Sequence, residues 1–402
     1  MTIKYSYQKS ILNLSQCLLF ACNLVSSLDC MAEATADIKP DFTYRFAGLK
    51  RNTQSAYHKE EHKDFVDQIY LTLKMTKTLD YDHKVVLEPT IRSKRNNPDA
   101  LDLDDLHMID QAYLESAISS HFTITAGKKT EYRGSGLFMN PSDLLNEDKD
   151  LYDPLYQREG KFMTRLSLDF ASWNLGLGFL PRRAGLLSQG RPWLYLQGNV
   201  FDFDVVLQQT FHYRDKSTTG YSLARFFGEH IELHVDGRFQ SRQRSETDLP
   251  ERAGSDQLSY KKNDASSQIV SGSRFVFTPK RSLTVEYIWN QSGLLNHEYT
   301  DIYLPTVRVG DQVADPLSHP VKRRYAFASF FDEETVSSLR LGVSSLYGLG
   351  DSSCFVSPNL KYTISSMTSI EYAPMFFFGD SLTEFGQMPF GEVHYVTFRG
   401  VW

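Results

Sequence analysis

Alternation of apolar and polar residues over stretches of about 9 to 11 residues most restricts how this chain can fold. Residues 231–239 separate by parity into an apolar set and a mostly charged set: Ile231, Leu233, Val235, Gly237 and Phe239 against Glu232, His234, Asp236 and Arg238. Successive side chains of a β-strand point to opposite faces of the sheet. Each such stretch therefore predicts a strand with one apolar face and one polar face.

The same alternation recurs along the chain after residue 36. We count about 18 candidate strands, with 16 as the alternative count. Their centres lie near residues 45, 71, 87, 113, 125, 166, 177, 196, 207, 224, 236, 273, 286, 327, 341, 356, 372 and 397. Short turns, as at 79–80 and 279–280, alternate with long polar connections at 94–107, 131–160, 243–266 and 296–322. This sorting of connections is typical of membrane barrels.

Two architectures accommodate strands of this kind. A soluble sandwich or barrel buries the apolar face inside, whereas a transmembrane barrel turns that face toward lipid. The strand length suits a tilted crossing of the bilayer, and many apolar runs end in an aromatic residue. The polar faces also carry full charges. We therefore expect an all-β transmembrane antiparallel up-and-down β-barrel over residues 37–402, with a soluble secreted β-protein as the alternative.

Composition narrows the function classes. The mean hydropathy of −0.37 excludes a bundle of transmembrane helices, but it does not exclude a barrel, because half of each barrel strand faces water. The net charge of −6 argues against a phosphate-binding basic surface. We therefore expect nucleic acid not to be a partner.

Residues 1–36 predict a signal peptide. Lys4 and Lys9 make a basic start, residues 11–28 are mostly apolar, and small residues follow with Ala-x-Ala spacing at 32–34 and 34–36. We place cleavage after Ala36, with Ala34 as the other site, and an uncleaved membrane anchor as the alternative. The remaining residues keep Cys354 as their one cysteine, which leaves no pair for a disulfide, a Cys-based zinc site or haem attachment. We expect neither a cofactor nor a metal.

The most distinctive run follows the candidate strand near residue 125. Its glycines allow tight turns, Asn140 is a suitable N-cap, and Pro141 suits the first turn of a helix. We expect a short helix beginning at Pro141 that folds into the lumen as a strand-exit or constriction element; an ordinary surface loop is the alternative. The residues that carry this motif are Gly127, Gly134, Gly136, Asn140, Pro141 and Asp143.

This run resembles the strand-exit segment of large porin-like barrels, including the alginate-export-type porin superfamily of bacterial outer membranes. The resemblance covers about 25 residues closely and the rest of the chain by strand pattern alone. It implies a barrel of about 16 to 18 strands that passes anionic or neutral solutes passively.

Charged residues on the polar parity are candidates for a pore lining. The candidate pore-lining residues are Lys74, Arg92, Arg165, Arg238, Glu232 and Asp236, and Glu88, Asp169, Glu286 and Glu371 share their parity. Arg165, Arg238 and Lys74 are the candidates for a constriction. Both signs of charge occur, so no simple ion filter is indicated, and paired, solvated wall residues are the alternative. The basic run 322–324 is expected to lie in water at a barrel rim, with contact to lipopolysaccharide as the alternative.

The end of the chain supports the same fold. Val396, Phe398, Gly400 and Trp402 share one parity and finish on an aromatic residue. This resembles the C-terminal insertion signal of outer-membrane barrels, carried here by Phe398 and Trp402. That family usually ends in Phe, so Trp402 and Gly400 depart from its pattern. The resemblance implies the barrel insertion machinery as a partner.

Together these features predict a porin-like channel of the bacterial outer membrane. We expect passive passage of small hydrophilic or anionic solutes, with saccharides among the candidates, and contact with outer-membrane lipid and lipopolysaccharide. The alternative is a non-conducting barrel that acts in adhesion or assembly through its long loops. We do not expect an enzyme, since neither a Gly-x-Ser-x-Gly elbow nor a His-Glu-x-x-His pattern occurs in the sequence. The oligomeric state stays open.

Overall fold

The computed structural model describes residues 37–51, 65–80, 83–94, 109–145, 160–181, 190–211, 217–241, 265–300, 321–388 and 390–401. The expected signal peptide (residues 1–36) and Trp402 lie outside these residues. Within them, no helix combines the length and the apolar character that crossing a membrane requires.

The described residues form 18 strands, each near one of the expected centres. The first nine are β1 (Asp37–Arg51), β2 (Phe65–Asp80), β3 (His83–Lys94), β4 (Ile109–Ser119), β5 (Phe122–Lys129), β6 (Lys161–Phe170), β7 (Trp173–Leu180), β8 (Arg191–Val200) and β9 (Phe203–Thr210). The second nine are β10 (Thr218–Phe227), β11 (Ile231–Gln240), β12 (Ser266–Thr278), β13 (Arg281–Asn290), β14 (Arg324–Val336), β15 (Leu339–Gly348), β16 (Cys354–Ser365), β17 (Thr368–Phe378) and β18 (Phe390–Val401).

These strands make one closed sheet. Each strand pairs antiparallel with its neighbours in the sequence, and β1 closes the barrel on β18 with Tyr44 opposite Phe398. Closure satisfies the backbone groups of the two strands that would otherwise be sheet edges. The predicted fold class is confirmed, and the count is 18 rather than 16.

The two parities of each strand face opposite sides of the wall. On β11 and β13, Leu233 and Val285 are 46% and 42% exposed, whereas Asp236 and Glu286 are 0% and 1% exposed. The buried parity is the inner one, because residues 131–145 contact it on strands from β6 to β16, which only a segment inside the barrel can reach. The apolar parity therefore faces outward and the charged parity faces the lumen, as expected.

Connection length sorts the barrel into two ends. Tight turns among the described residues, such as the Pro279–Lys280 turn, join the strands at one end, which we call the short-turn end. The other end, the long-connection end, carries the predicted long connections. Two short helical turns occur among the described residues of the long-connection end, at Asn296–Glu298 and Phe385–Gln387.

The expectation that the basic run 322–324 lies in water is wrong for its first residue. Lys322 is buried, its ammonium group lies 4.6 Å from the ring centroid of Tyr299, and it makes an ion pair with Asp351. A buried carboxylate and an aromatic ring replace the water that a rim lysine would keep. Arg324, by contrast, is exposed.

Candidate functional site

The chain leaves the wall of the barrel at the end of β5. Gly127 has φ +127°, and a Cβ there would lie 2.2 Å from the backbone oxygen of Ala112, so this bend requires glycine. Residues 131–145, which we call the inward segment, then enter the lumen. The expected helix at Pro141 is wrong for these residues, because they form turns, with the Asp143 N–H donating to the Asn140 carbonyl at 3.0 Å.

Two residues, Asn140 and Gly134, shape the turn of the inward segment. The Asn140 amide donates to the backbone oxygen of Arg133 and thereby links the two halves of the segment, instead of capping a helix. Gly134 has φ +103°, and a Cβ there would lie 1.9 Å from Asn140 Oδ1 and 2.5 Å from Asp236 Oδ2. Glycine at this position therefore allows the segment to approach the opposite wall.

Asp236 of β11 is the first anchor of the inward segment. Its carboxylate accepts hydrogen bonds from the Ser142 N–H at 2.7 Å, the Ser142 hydroxyl at 2.7 Å and the Ser135 N–H at 3.0 Å. The Ser135 hydroxyl lies 2.8 Å from that of Ser222 on β10. A buried carboxylate needs such donors, because it has lost its water.

Glu286 of β13 is the second anchor. Its carboxylate accepts the backbone N–H groups of Leu137 at 2.5 Å and Phe138 at 3.0 Å. His234 Nε2 lies 3.1 Å from the same carboxylate. Two acidic residues of the inner wall thus hold the backbone of the inward segment at four N–H groups.

Uncharged contacts add to these anchors. Gln208 of β9 donates to the backbone oxygen of Ser142 at 2.8 Å, and the indole N–H of Trp193 donates to Gln208 at 3.1 Å. On the far side, Phe138 stacks on Phe327 of β14 with ring centroids 4.7 Å apart. The inward segment is thus fixed to several strands by polar and apolar contacts together.

Charged side chains fill the base of the inward segment. Arg165 of β6 makes an ion pair with Glu131, and its guanidinium group donates to Thr125 at 3.2 Å. Arg133 contacts Glu131 at 3.2 Å and lies over the Tyr195 ring at 3.5 Å from its centroid. Both arginines thus make ion pairs with the same carboxylate, that of Glu131, and all three side chains have low exposure. This part of the lumen is therefore not a free cationic surface.

A cavity of about 460 Å³ remains beside the inward segment, between it and the walls of β14 to β18. Phe138, Phe327 and Phe355 line one part of it, and serine, asparagine and charged side chains line the rest. Arg340 pairs with Glu333 at 3.0 Å, and Arg399 pairs with Asp41.

Lys361 differs from the other cations of this cavity. Within the part of the chain that the structure describes, its ammonium group has no ion-pair partner. Glu371, which lies opposite Lys361 on the neighbouring strand β17, accepts a hydrogen bond from Asn359 rather than from Lys361. The cavity thus combines the unpaired Lys361 ammonium group with the Glu371 carboxylate, two paired arginines and neutral hydrogen-bonding groups.

The structure places the six candidate pore-lining residues in different parts of the barrel. Arg165 and Asp236 both bind the inward segment. Glu232 lies on the inner face of β11, 3.7 Å from Arg274, and Arg238 lies further along the same face. Lys74 is exposed near the short-turn end of β2, and the side chain of Arg92 on β3 lies outside the described part.

Sequence reasoning missed the donors that bind these anchors. The N–H groups of Ser135, Leu137, Phe138 and Ser142 carry the contacts, and a backbone N–H leaves no signal in residue type. It also missed a second segment, residues 379–388, that packs into the long-connection end. Its one sequence signal is Phe385 and Met388 in a polar connection.

No protein-family model matches this sequence, and no curated protein matches it either. Solved structures do match the fold. A BenF-like porin from Pseudomonas fluorescens Pf-5 aligns with a TM-score of 0.57 at 9% identity, over 92% of this chain and 98% of that chain. OccK2 (OpdF) of Pseudomonas aeruginosa, solved in complex with glucuronate, aligns with a TM-score of 0.56 at 12% identity, over 91% and 98%.

The outer membrane protein opdK of Pseudomonas aeruginosa aligns with a TM-score of 0.53 at 10% identity, over 91% of this chain and 99% of that chain. At such identities a likeness of nearly full length establishes the fold and leaves the chemistry of the lumen to be argued from this chain's own residues. The 18-stranded closed barrel described above is thus the fold of these bacterial porins.

Proposed function

We propose that this protein is a channel of the bacterial outer membrane that passes small hydrophilic or anionic solutes passively. The observation that carries the proposal is the inward segment, which Asp236 and Glu286 hold across the lumen while a partly polar cavity of about 460 Å³ stays beside it. Pores that select solutes narrow the passage and line it with fixed polar groups.

The cavity supports the solute class. Lys361 offers an unpaired positive charge, and Ser329, Ser344 and Ser357 offer hydroxyl groups on neighbouring strands. Such groups suit a small anion or a hydroxylated solute, so saccharides remain candidates. The glucuronate complex of OccK2 is a precedent for this class on the same fold.

The location follows from the outward face. Apolar side chains cover the wall, as a barrel in lipid requires, and the expected signal peptide supplies export. We also propose Phe398 and Trp402 as the insertion signal, and outer-membrane lipid with lipopolysaccharide as surroundings. The finer relationship to alginate-export-type porins stays a prediction, since it depends on residues 127–143.

Planar-bilayer recording of the refolded protein tests this function. We expect discrete conductance steps, and reversal potentials in a salt gradient that shift when Lys361 is neutralised. Uptake of saccharides into proteoliposomes tests the solute class. A barrel that inserts without any conductance step would contradict the proposal and favour adhesion or assembly through the long loops, and hydrolysis of lipid or peptide by the preparation would point to an enzyme.

A further inference from the structure

Residues 379–388, which we call the second segment, also fold into the barrel. The segment joins β17 to β18 at the long-connection end and contains the Phe385–Gln387 turn of 3-10 helix. Phe385 and Met388 are buried against inner-wall residues that include Met375 and Val393. Because buried apolar contacts hold it, the segment is part of the lumen rather than a loop in solvent.

One aromatic side chain joins the second segment to the inward segment. The ring of Phe355 on β16 lies 5.7 Å from the ring centroid of Phe385 and 6.3 Å from that of Phe138. Both segments therefore pack on one apolar cluster at the inner face of β12 to β18. Any movement of the second segment changes the space open to a solute on that side.

The buried carboxylate of Glu384 ties the second segment to the wall. Glu384 accepts hydrogen bonds from the Val321 N–H at 2.9 Å and from the Tyr325 hydroxyl at 2.6 Å. Val321 precedes β14, and Tyr325 lies on it. The side chain of Glu384 thus bridges the β17–β18 connection to the wall three strands away.

Asp351 completes the cluster from the turn between β15 and β16. It accepts the Glu384 N–H at 2.8 Å and the Ser353 hydroxyl at 2.8 Å, and it pairs with Lys322. The charged groups that face Glu384 are thus Asp351 and Lys322, with Tyr325 as the other titratable group. The Lys322 ammonium group pairs with Asp351 and acts on Glu384 only through space.

We propose that the second segment is an additional constriction element and that Glu384 is the positioning residue that holds it in the lumen. The inference rests on the proposed channel function. Glu384 acts through the segment it carries, since its side chain is buried. Its charge state then decides how firmly the segment is held.

The direction of that effect follows from burial. Burial raises the pKa of Glu384 to about 7, although the hydrogen bonds from Tyr325 and Val321 favour its ionised form. A released, hydrated Glu384 has the ordinary pKa of 4.5. The docked segment therefore binds the proton more tightly, so its docking weakens as pH rises from about 4.5 to about 7 and is constant above that. The ratio of open to narrowed states rises by up to tenfold per pH unit in this window.

Single-channel recording of the full-length channel at pH 5, 6, 7 and 8 tests this inference. For the unchanged protein we expect larger and noisier currents as pH rises toward 7. Glu384→Gln keeps the side-chain shape and one acceptor oxygen but removes the charge. The passage of this variant should therefore stay narrowed, with small currents at all four pH values. Glu384→Ala removes both hydrogen bonds and should give large, noisy currents at every pH. Asp380→Asn, on an exposed carboxylate of the same segment, is the matched control for loss of one negative charge, and its currents should still grow and become noisier as pH rises toward 7.

The possible results distinguish this inference from the proposed channel function on which it rests. A conducting channel whose pH profile is the same with and without Glu384→Gln would overturn the role of Glu384 and leave the channel standing. Identical currents from Glu384→Ala and the unchanged protein at all four pH values would overturn the second segment as a constriction. Absence of conductance in all variants would overturn the channel itself, and the inference with it.

Discussion

Ser142 donates two hydrogen bonds to the carboxylate of Asp236, one from its backbone N–H and one from its hydroxyl, both at 2.7 Å. The two residues lie 94 positions apart in the chain. Asp236 is on the inner wall of β11, and Ser142 is on the segment that leaves the wall after β5. The pair is therefore one of the two carboxylate anchors that fix the inward segment across the lumen, and the width of the passage depends on it.

Asp236→Asn should loosen the inward segment. The amide keeps one acceptor oxygen but turns a donor group toward either the Ser142 N–H or the Ser135 N–H, which bind different oxygens of the carboxylate, and this costs about 3 kcal/mol of docking free energy. We expect larger, noisier single-channel currents with normal membrane insertion. Asp204→Asn, on the exposed inner wall of β9, is the matched control and should not change current noise. Equal noise from both variants would argue against Asp236 as an anchor.

Gly134→Ala should disrupt the inward segment through a steric clash, without any change of charge. The added Cβ would lie 1.9 Å from Asn140 Oδ1, at a positive φ of +103°. Gly228→Ala provides the control, because it also has a positive φ (+63°) but meets no atom within 4 Å. The control should lose about 1 kcal/mol of stability and keep its conductance. A Gly134→Ala channel with unchanged conductance would show that the segment tolerates a shift.

The outward and inward faces of β16 predict opposite responses to arginine at equal depth. Leu360 is exposed on the outer face, and Asn359 lies beside it on the inner face. Leu360→Arg should destabilise the folded barrel in lipid by roughly 2–4 kcal/mol, whereas Asn359→Arg should insert normally and increase anion preference. Urea unfolding in lipid vesicles measures the first effect and reversal potentials the second. Similar losses of stability would mean that the faces are misassigned.

Lys361→Gln should reduce the preference of the channel for anions. The change removes the unpaired cation of the cavity and leaves a neutral polar side chain one atom shorter, so the anion-to-cation permeability ratio should fall roughly twofold or more. Reversal potentials in a KCl gradient give this ratio directly. Lys280→Gln, in an exposed turn at the short-turn end, serves as the control. If both substitutions lower the ratio alike, the preference comes from overall charge rather than from Lys361.

The pKa of Asp351 predicts that docking of the second segment weakens at low pH. Burial opposes ionisation, but hydrogen bonds from Lys322 and the Glu384 N–H keep the pKa of Asp351 below its ordinary value of 3.8. A lowered carboxyl pKa stabilises the docked state above pH 3.8 and loses that effect as pH falls through the lowered value. Hydrogen exchange at residues 383–388 should therefore be slow at pH 5, and Asp351→Asn should speed it. Unchanged protection in that variant would contradict the role of Asp351.

The wrong expectation of a helix at Pro141 has a clear physical origin. Asn140, Pro141 and Asp143 suit a helix start, where the first N–H groups need acceptors. In the folded barrel, Asp236 accepts the Ser142 N–H, and the Asn140 amide is bound to Arg133. Tertiary partners thus replaced the local ones. The burial of Lys322 has the same cause, since Asp351 comes from the β15–β16 connection and Tyr299 lies 23 residues before Lys322 in the chain.

The sequence by itself determined the strands and the direction of each face, because a period of two residues is visible within each strand alone. It favoured 18 strands and left 16 open, and closure of the sheet decided for 18. It also showed Asp236 and Glu286 as inward charges. Only the tertiary structure decided what those charges bind. Their partners are backbone N–H groups 94 and 148 or more residues away, which closure of the barrel brings within hydrogen-bonding distance. A backbone N–H is the same in every residue except proline, so its choice of acceptor is set by where the fold places it.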